Sequence, residues 1–222
     1  ISNILKTNQE KSSLLIRAIE NDEIYPYFQP IKPASASNKL VIHELLMRIH
    51  QDGKIVSAYE FIEIAEARGL INSMDLMVIE KAFKEIQRTQ YEGILFINLS
   101  PKSLIVGDFI NKINAFVLKY EINKEKIVFE ITERETVKNF SLLEKFVHNL
   151  KADGYKFAID DFGSGFSSFH YIKKFPIDYI KIDGNIIKKI LDDKTSYLVV
   201  KSIVTFAKEA NIKVIAEYVS TK

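Results

Sequence analysis

The chain has no cysteine, which excludes disulfides and thiolate metal sites and is compatible with a reducing cytoplasm. It also lacks an excess of charge of either sign. Its 31 basic and 29 acidic residues leave a formal net charge of +2, which is no footprint for long nucleic acid, since that needs a clear basic excess on one face. No apolar run approaches the roughly 18–20 residues of a membrane-spanning helix, and no secretory signal pattern opens the chain. The four histidines, His43, His50, His148 and His170, show neither HxxxH nor HExxH spacing, which argues against a zinc hydrolase of that type. Phosphate-binding turns of the GxGxxG or GxxxxGK kind are absent. What is present is ordinary for a globular domain: 222 residues, 47% hydrophobic and 27% charged, enough for one large core or at most two small ones. A start at Ile1 rather than Met reads as a piece cut from a longer protein, with residues 1–11 as a linker or the end of an upstream element.

Apolar runs and amphipathic stretches alternate along the chain. Strands are expected near 24–31, 40–49, 93–99, 126–132, 155–160, 178–183 and 212–217. SAYEFIEIAEARG has the 3.6-residue apolar period of a helix and stops at Gly69, and SMDLMVIEKAFKEIQ follows as a second helix. FINKINAFVLKYEI, NFSLLEKFVHNLKADG and KTSYLVVKSIVTFAKEANI are the later helices, and LLIRAIE ends one near the start. The first two strands are joined by IKPASASNKL without a helix, so the first is expected to run antiparallel to its neighbour. Strands alternating with helices give an α/β fold. An open doubly wound sheet gathers its ligand residues at one switch point, whereas here candidates sit on nearly every strand, which suits a TIM-type barrel. Seven strands can be counted, and the piece expected to close an eight-stranded barrel is missing from this chain.

The candidates are mostly acids at strand ends. VIHELL carries Glu44, ILFINLS carries Asn98, IVFEITE carries Glu130, FAIDDFG carries Asp160 and Asp161, DYIKID carries Lys181 and KVIAE carries Glu217. Strands this apolar are buried on both faces, where a bare carboxylate costs on the order of several kcal/mol. For each residue a plainer role exists. Asp160-Asp161 suits a surface turn, Glu133 and Glu135 a solvated charged turn, Asn98 a strand-end turn and Lys181 a side chain that snorkels past its apolar neighbours. Adjacent acids face opposite ways in a regular strand, so both reach one site only if the strand ends there, as Gly163 and Gly165 suggest. The shared position at strand ends argues for one site filled by cations. Oxygen-only ligands point to Mg²⁺ or Mn²⁺, and a carboxylate shared between two such ions is the signature of phosphodiester hydrolysis by in-line attack.

These motifs resemble a known family. YFQPI, HELLMR, FIEIAEARGLI, INLSP, EITE, DDFGSGFSSFHYIKKFPIDYIKID and IAEYVS follow one another in the order found in EAL domains, the cyclic di-GMP phosphodiesterases, and the resemblance spans roughly residues 12–222 as one domain. It implies a modified TIM (β/α)8-type barrel with an antiparallel first strand. It implies a first metal held by Glu44, Asn98, Glu130 and Asp160, and a second bridged by Asp160 and completed by Asp161 and Glu217. Lys181 would touch the attacking water, Glu133 would support the loop after Asp161, and Gln29 and Arg48 would contact the substrate. The implied reaction opens cyclic di-GMP to linear pGpG with two Mg²⁺ or Mn²⁺ ions. A dimer, a cytoplasmic setting and an upstream sensor or GGDEF domain are further implications. The pattern departs at Leu45, where the family has alanine, and at Glu63, where it has proline. The family's AEGVE is Ala216-Glu217-Tyr218-Val219-Ser220 here, and its glutamine on the last strand has no counterpart. These departures leave a second reading, a module that binds cyclic di-GMP without cutting it, and a third, a degenerate scaffold.

Overall fold

The computed structural model describes residues 2–35, 39–51, 53–105, 108–164, 172 and 174–219, with side chains from residue 9 onward except at 105. Gly165, His170 and Ser220 therefore lie outside the described residues. The chain divides into two compact units, Ile1–Lys126 and Ile127–Lys222.

The first unit opens with α1 (Ser2–Glu20) and three strands, β1 (Ile24–Ile31), β2 (Ile42–Gln51) and β3 (Lys54–Ser57). β1 and β2 are antiparallel along their whole length, from Ile24 opposite Ile49 to Ile31 opposite Ile42, as the helix-free connection between them requires. β2 carries two further partners in succession. Its first half pairs parallel with β4 (Ile94–Asn98), and its second half pairs antiparallel with β3, which the sequence reading missed. Alternation decides which way β2 faces. Leu45, Met47 and Ile49 are buried, while the even-numbered residues between them are only partly covered. The buried face is matched by α3 (Ile71–Thr89), which buries Ile71, Met74, Val78, Ile79, Ala82 and Phe83 at helical spacing.

The single helix expected over 57–69 is two pieces. Residues 58–60 form a 3₁₀ turn, Phe61 leaves helical geometry at φ −135°, and α2 runs Ile62–Ala67. The Ser57 N–H donates to the Glu60 carboxylate at 3.3 Å, closing the turn on itself before the α-helix starts. Gly69, at φ +69°, then ends α2 as expected. α4 (Pro101–Ile105), α5 (Phe109–Lys119) and a 3₁₀ turn over 124–126 complete the unit.

The second unit is built on four parallel strands, β5 (Ile127–Thr132), β6 (Lys156–Phe162), β7 (Tyr179–Ile182) and β8 (Lys213–Ala216), paired in that order. α6 (Glu133–Lys138) and α7 (Phe140–Ala152) cross from β5 to β6; α8 (Gly184–Ile187) and α9 (Lys194–Glu209) cross from β7 to β8. Covering helices leave every residue of β7, and all of β5 but Thr132, buried. α6 replaces the solvated turn expected at FEITERE. Thr132 Oγ1 accepts from the Glu135 N–H at 3.4 Å, an N-cap three residues before a glutamate, so the strand passes directly into a helix.

Asp75 is a titratable group inside the first unit. It lies in the buried face of α3, and its Oδ2 accepts from Ser103 Oγ of α4 at 2.8 Å. Burial pushes its carboxyl up to about 7, with the Ser103 hydrogen bond pulling down and nearby Glu66 adding to the rise. The folded value lies above the unfolded 3.8, so the folded state holds a proton that the unfolded state releases. This stabilising proton uptake is complete at about pH 4 and is lost as pH rises toward 7. Asp75→Asn removes the dependence. Its stability in urea melts should therefore gain on the wild type by about 2–3 kcal/mol between pH 5 and pH 8. A constant offset across that range would show that Asp75 ionises normally.

Candidate metal centre

The second unit gathers its charged side chains by strand alternation. Glu130 pairs with Ala158, and Thr132 with Asp160. Tyr179 pairs with Ala158, and Lys181 with Ile215. Counting by twos from these pairs places Glu130, Asp160, Lys181 and Glu217 on one face of the sheet. Lys181 is their meeting point. Its side chain is 2% exposed, and Nζ lies 3.1 Å from Asp160 Oδ1, 3.2 Å from Glu217 Oε1 and 3.3 Å from Glu130 Oε2. The lysine therefore does not snorkel. It is a buried ammonium ringed by carboxylates, the arrangement that makes a buried charge tolerable.

Asp160 and Asp161 do not sit at a strand end. β6 continues through both to Phe162. The ladder to β7 pairs Ile159 with Ile180 and Phe162 with Ile182, so two acids stand opposite the single residue Lys181. This is a β-bulge, and Asp161 takes the left-handed backbone it requires, at φ +52°. Aspartate tolerates that region better than most residues. The bulge, rather than a strand end, lets adjacent side chains serve one site. The Asp161 N–H also donates to Asp160 Oδ1 at 3.0 Å, fixing one carboxylate oxygen.

Glu217 follows β8, and its N–H reaches the Ile182 carbonyl at 3.4 Å. Asp160, Asp161 and Glu217 each offer a carboxylate oxygen, and these oxygens lie within 4.8 Å of one another. Burial pushes the Glu217 carboxyl up to about 7; the neighbouring charge of Asp160 adds to the rise, and Lys181 opposes it. Three carboxylates meet the one lysine and Asp161 adds a fourth beside them, so the cluster has negative charge to spare. An all-oxygen donor set with excess negative charge fits hard divalent cations such as Mg²⁺ or Mn²⁺.

The surrounding residues hold this geometry. Glu133 is buried at the start of α6, and its Oε2 accepts from the Gly163 N–H at 2.9 Å, tying α6 to the turn just after the bulge. Gly163 has φ +95°. Sequence reasoning missed two further supports. Asp183 caps α8 by accepting from the Asn185 N–H at 2.5 Å, which anchors the end of β7 two residues after Lys181. Asp178 holds the strand's other end, where both its oxygens take Lys151 Nζ at 2.7 Å and Oδ2 also accepts from the Phe157 N–H. Aspartates placed just before a helix and just before a strand were the available signals.

Tyr218, in the loop after Glu217, adopts φ +51°. It lies against Gly184, where an added Cβ would meet Tyr218 Cδ2, and Lys188 Nζ stands 4.0 Å from its ring centroid. The bulk beside Glu217 is thus turned onto α8, and the ring contacts offset part of the strain of a left-handed tyrosine.

The first unit carries the other candidates. Glu44 and Asn98 are joined: Asn98 Nδ2 donates to Glu44 Oε1 at 3.0 Å. Gln29 stands opposite Glu44 in the β1–β2 register, and Arg48 lies two turns of the pleat further along β2. Leu45 is buried on the opposite face of β2, so the departure there is a core residue, while Glu63 lies in the first turn of α2, where an acid suits the helix dipole.

Comparison with known proteins places this geometry. The sequence profile described as EAL domain matches residues 14–222. The chain is 35% identical over 219 residues to the cyclic di-GMP phosphodiesterase PdeA of Borreliella burgdorferi, which covers 97% of this chain and 33% of that protein. It is 34% identical over 212 residues to the cyclic di-GMP phosphodiesterase PdeB of Shewanella oneidensis, covering 94% of this chain and 25% of that protein. The chain thus spans a quarter to a third of the length of these two relatives. Among solved structures, the EAL enzyme Bd1971 with cAMP and cyclic di-GMP bound superposes with a TM-score of 0.84 at 28% identity, over 96% of this chain and 60% of that one. The FimX EAL domain from Pseudomonas aeruginosa, bound to c-di-GMP, gives 0.87 at 23% identity, over 95% and 86%. These likenesses give the α/β fold with an antiparallel first strand that the sequence leads one to expect, and the chain belongs to the EAL domain family.

Proposed function

We propose that this chain hydrolyses cyclic di-GMP to linear pGpG at a centre of two divalent ions, Mg²⁺ or Mn²⁺. The observation that carries the reading is the cluster of Asp160, Asp161 and Glu217 oxygens within 4.8 Å of one another beside buried Lys181. Curated relatives named as cyclic di-GMP phosphodiesterases support the substrate.

In this reading Glu44, Asn98, Glu130 and Asp160 hold the first ion, and Asp160, Asp161 and Glu217 hold the second. The ions supply a water of lowered pKa and neutralise the phosphate. The chain supplies position. Lys181 is fixed by three carboxylates, so its ammonium can orient the attacking water and meet the charge that builds on the phosphate. Attack at phosphorus forms one P–O bond and breaks the bond to the 3′ oxygen, leaving pGpG with its 5′ phosphate. Gln29 and Arg48 contact the substrate, with Arg48 suited to a phosphate oxygen. Glu133 supports the loop after Asp161 through the Gly163 N–H.

We favour cutting over binding alone because Glu130, Asp160, Asp161, Lys181 and Glu217 gather in the second unit and the altered Tyr218 leans on α8. The relatives are longer than this chain, and an upstream sensor or GGDEF domain in the whole protein and a homodimer are part of this proposal. No described helix is long and apolar enough to cross a membrane, and we place the domain on the cytoplasmic side, where the nucleotide is made and consumed.

Purified protein with Mn²⁺ or Mg²⁺ should convert cyclic di-GMP to pGpG by chromatography. Ca²⁺ should suppress turnover, because its longer and looser coordination misplaces the water. Asp160→Asn should lower kcat by at least about a hundredfold, and near-normal turnover in that variant would remove Asp160 from the centre. Lys181→Met tests the electrostatics separately. Without its ammonium the buried Glu130 and its neighbours repel, so thermal unfolding in a chelator should show a loss of about 3–5 kcal/mol. Mn²⁺ should then raise the melting temperature of Lys181→Met by more than it raises the wild type's; equal shifts would show that lysine and metal do not share the same charge.

A further inference from the structure

β8 alone gives Glu217 little support. The strand is four residues long, ends at Ala216 and, among the described residues, pairs with β7 only. Glu217 stands just past its end. The N–H reaches the Ile182 carbonyl at 3.4 Å, which is long for a hydrogen bond. Lys181 draws the carboxylate inward at 3.2 Å, while the Asp160 and Asp161 carboxylates beside it repel it. A side chain placed in this way swings easily unless its backbone is held from the other side.

Tyr218 provides that hold. It takes the left-handed backbone, φ +51°, which a bulky residue adopts only where its surroundings over-determine it. Its ring lies on Gly184, the first residue of α8, where an added Cβ would run into Cδ2, Cγ and Cε2. Lys188, one turn further along, holds Nζ 4.0 Å from the ring centroid. α8 is itself firmly placed. Its cap, Asp183, stands two residues after Lys181, and the Asp183 carbonyl accepts from the Ile186 and Ile187 N–H groups at 3.1 and 3.2 Å. Through Ile186 the same helix packs on the turn after the bulge, where a Cβ at Gly163 would stand 2.8 Å from Ile186 Cδ1. One short helix therefore touches the turn after Asp161 and the loop after Glu217.

We propose that Tyr218 is a positioning residue: by seating its ring on Gly184 and Lys188 it holds Glu217 in place for the second divalent ion before that ion arrives. The proposal rests on the metal centre of the hydrolytic reading and assigns that centre a brace. The ring acts through the backbone it shares with Glu217. A ligand that is already ordered loses less freedom when it binds, so the brace is read as metal affinity. Tyr218 is 71% exposed, so its removal should leave the stability of the fold where it was.

Mn²⁺ binding to the full chain is followed by the paramagnetic resonance of the free ion, which fades on binding, and in parallel by calorimetry. Tyr218→Ala should weaken Mn²⁺ binding about tenfold, Tyr218→Phe should keep the wild-type constants, and both should melt like the wild type in a chelator. Gly184→Ala puts a methyl group where the ring lies. It should produce about the same tenfold loss alone, yet no further loss in combination with Tyr218→Ala. Wild-type constants in Tyr218→Ala, or separate losses that multiply in the double variant, would overturn the brace and leave the hydrolytic reading standing. Mn²⁺ constants that shift as described, in a wild-type protein that makes no pGpG, would sink the hydrolytic reading and keep the brace as a property of the metal centre. A wild-type protein that takes up no Mn²⁺ would end both.

Discussion

The charge on Lys181 is the constraint around which the second unit is arranged. An ammonium that is 2% exposed needs carboxylates within reach, and it has three, at 3.1 to 3.3 Å. Those carboxylates in turn repel one another in a sheet whose strands are covered on both faces. Neither sign of charge could be buried there alone at reasonable cost. The raised carboxyl of Glu217 records the remaining imbalance. Much of the nearby structure makes the crowding possible: the bulge that doubles the acids opposite Lys181, the Glu133 bond to Gly163, and the aspartate anchors at both ends of β7.

The parts of the fold that were legible in the sequence are those in which one simple pattern dominates. Continuous apolar runs such as IVFEI and DYIKI mark strands buried on both faces, and the helix-free stretch after Ile31 marks an antiparallel first pair. Gly69 and Gly154 end helices where a left-handed residue is needed. The failures are short elements. β3 is four residues long and pairs with only part of β2, which leaves too little alternation to read. α4, α6 and α8 are one or two turns each and depend on caps rather than on periodicity. Thr132 followed by Glu135 was such a cap, concealed by the charge of FEITERE.

Site residues divide in the same way. Glu130 and Lys181 stand out because a charge within an apolar run needs a reason. Their direct contact, by contrast, follows from sheet register, which no single strand carries. The adjacency of Asp160 and Asp161 was read correctly as a difficulty, but it was resolved by a break in the strand instead of a bulge within it. Glu133 looked like surface charge and is 1% exposed, because the helix it begins turns it inward. The contacts of Tyr25 and Tyr27 with His50 are not legible for another reason: aromatic residues on a strand usually mean core, and only the pairing with β2 sets these on its less buried face.

The left-handed backbone at Asp161 bears on how such a chain evolves. Asparagine tolerates φ near +52° about as readily as aspartate does, and it is nearly the same size. A single base change can therefore replace the acid without disturbing the bulge, the helices or the core. A descendant with one acid fewer beside Lys181 would still fold, with the register of the sheet unchanged. The route to a cluster of altered charge is thus short, and selection could travel it without first finding a compensating mutation elsewhere.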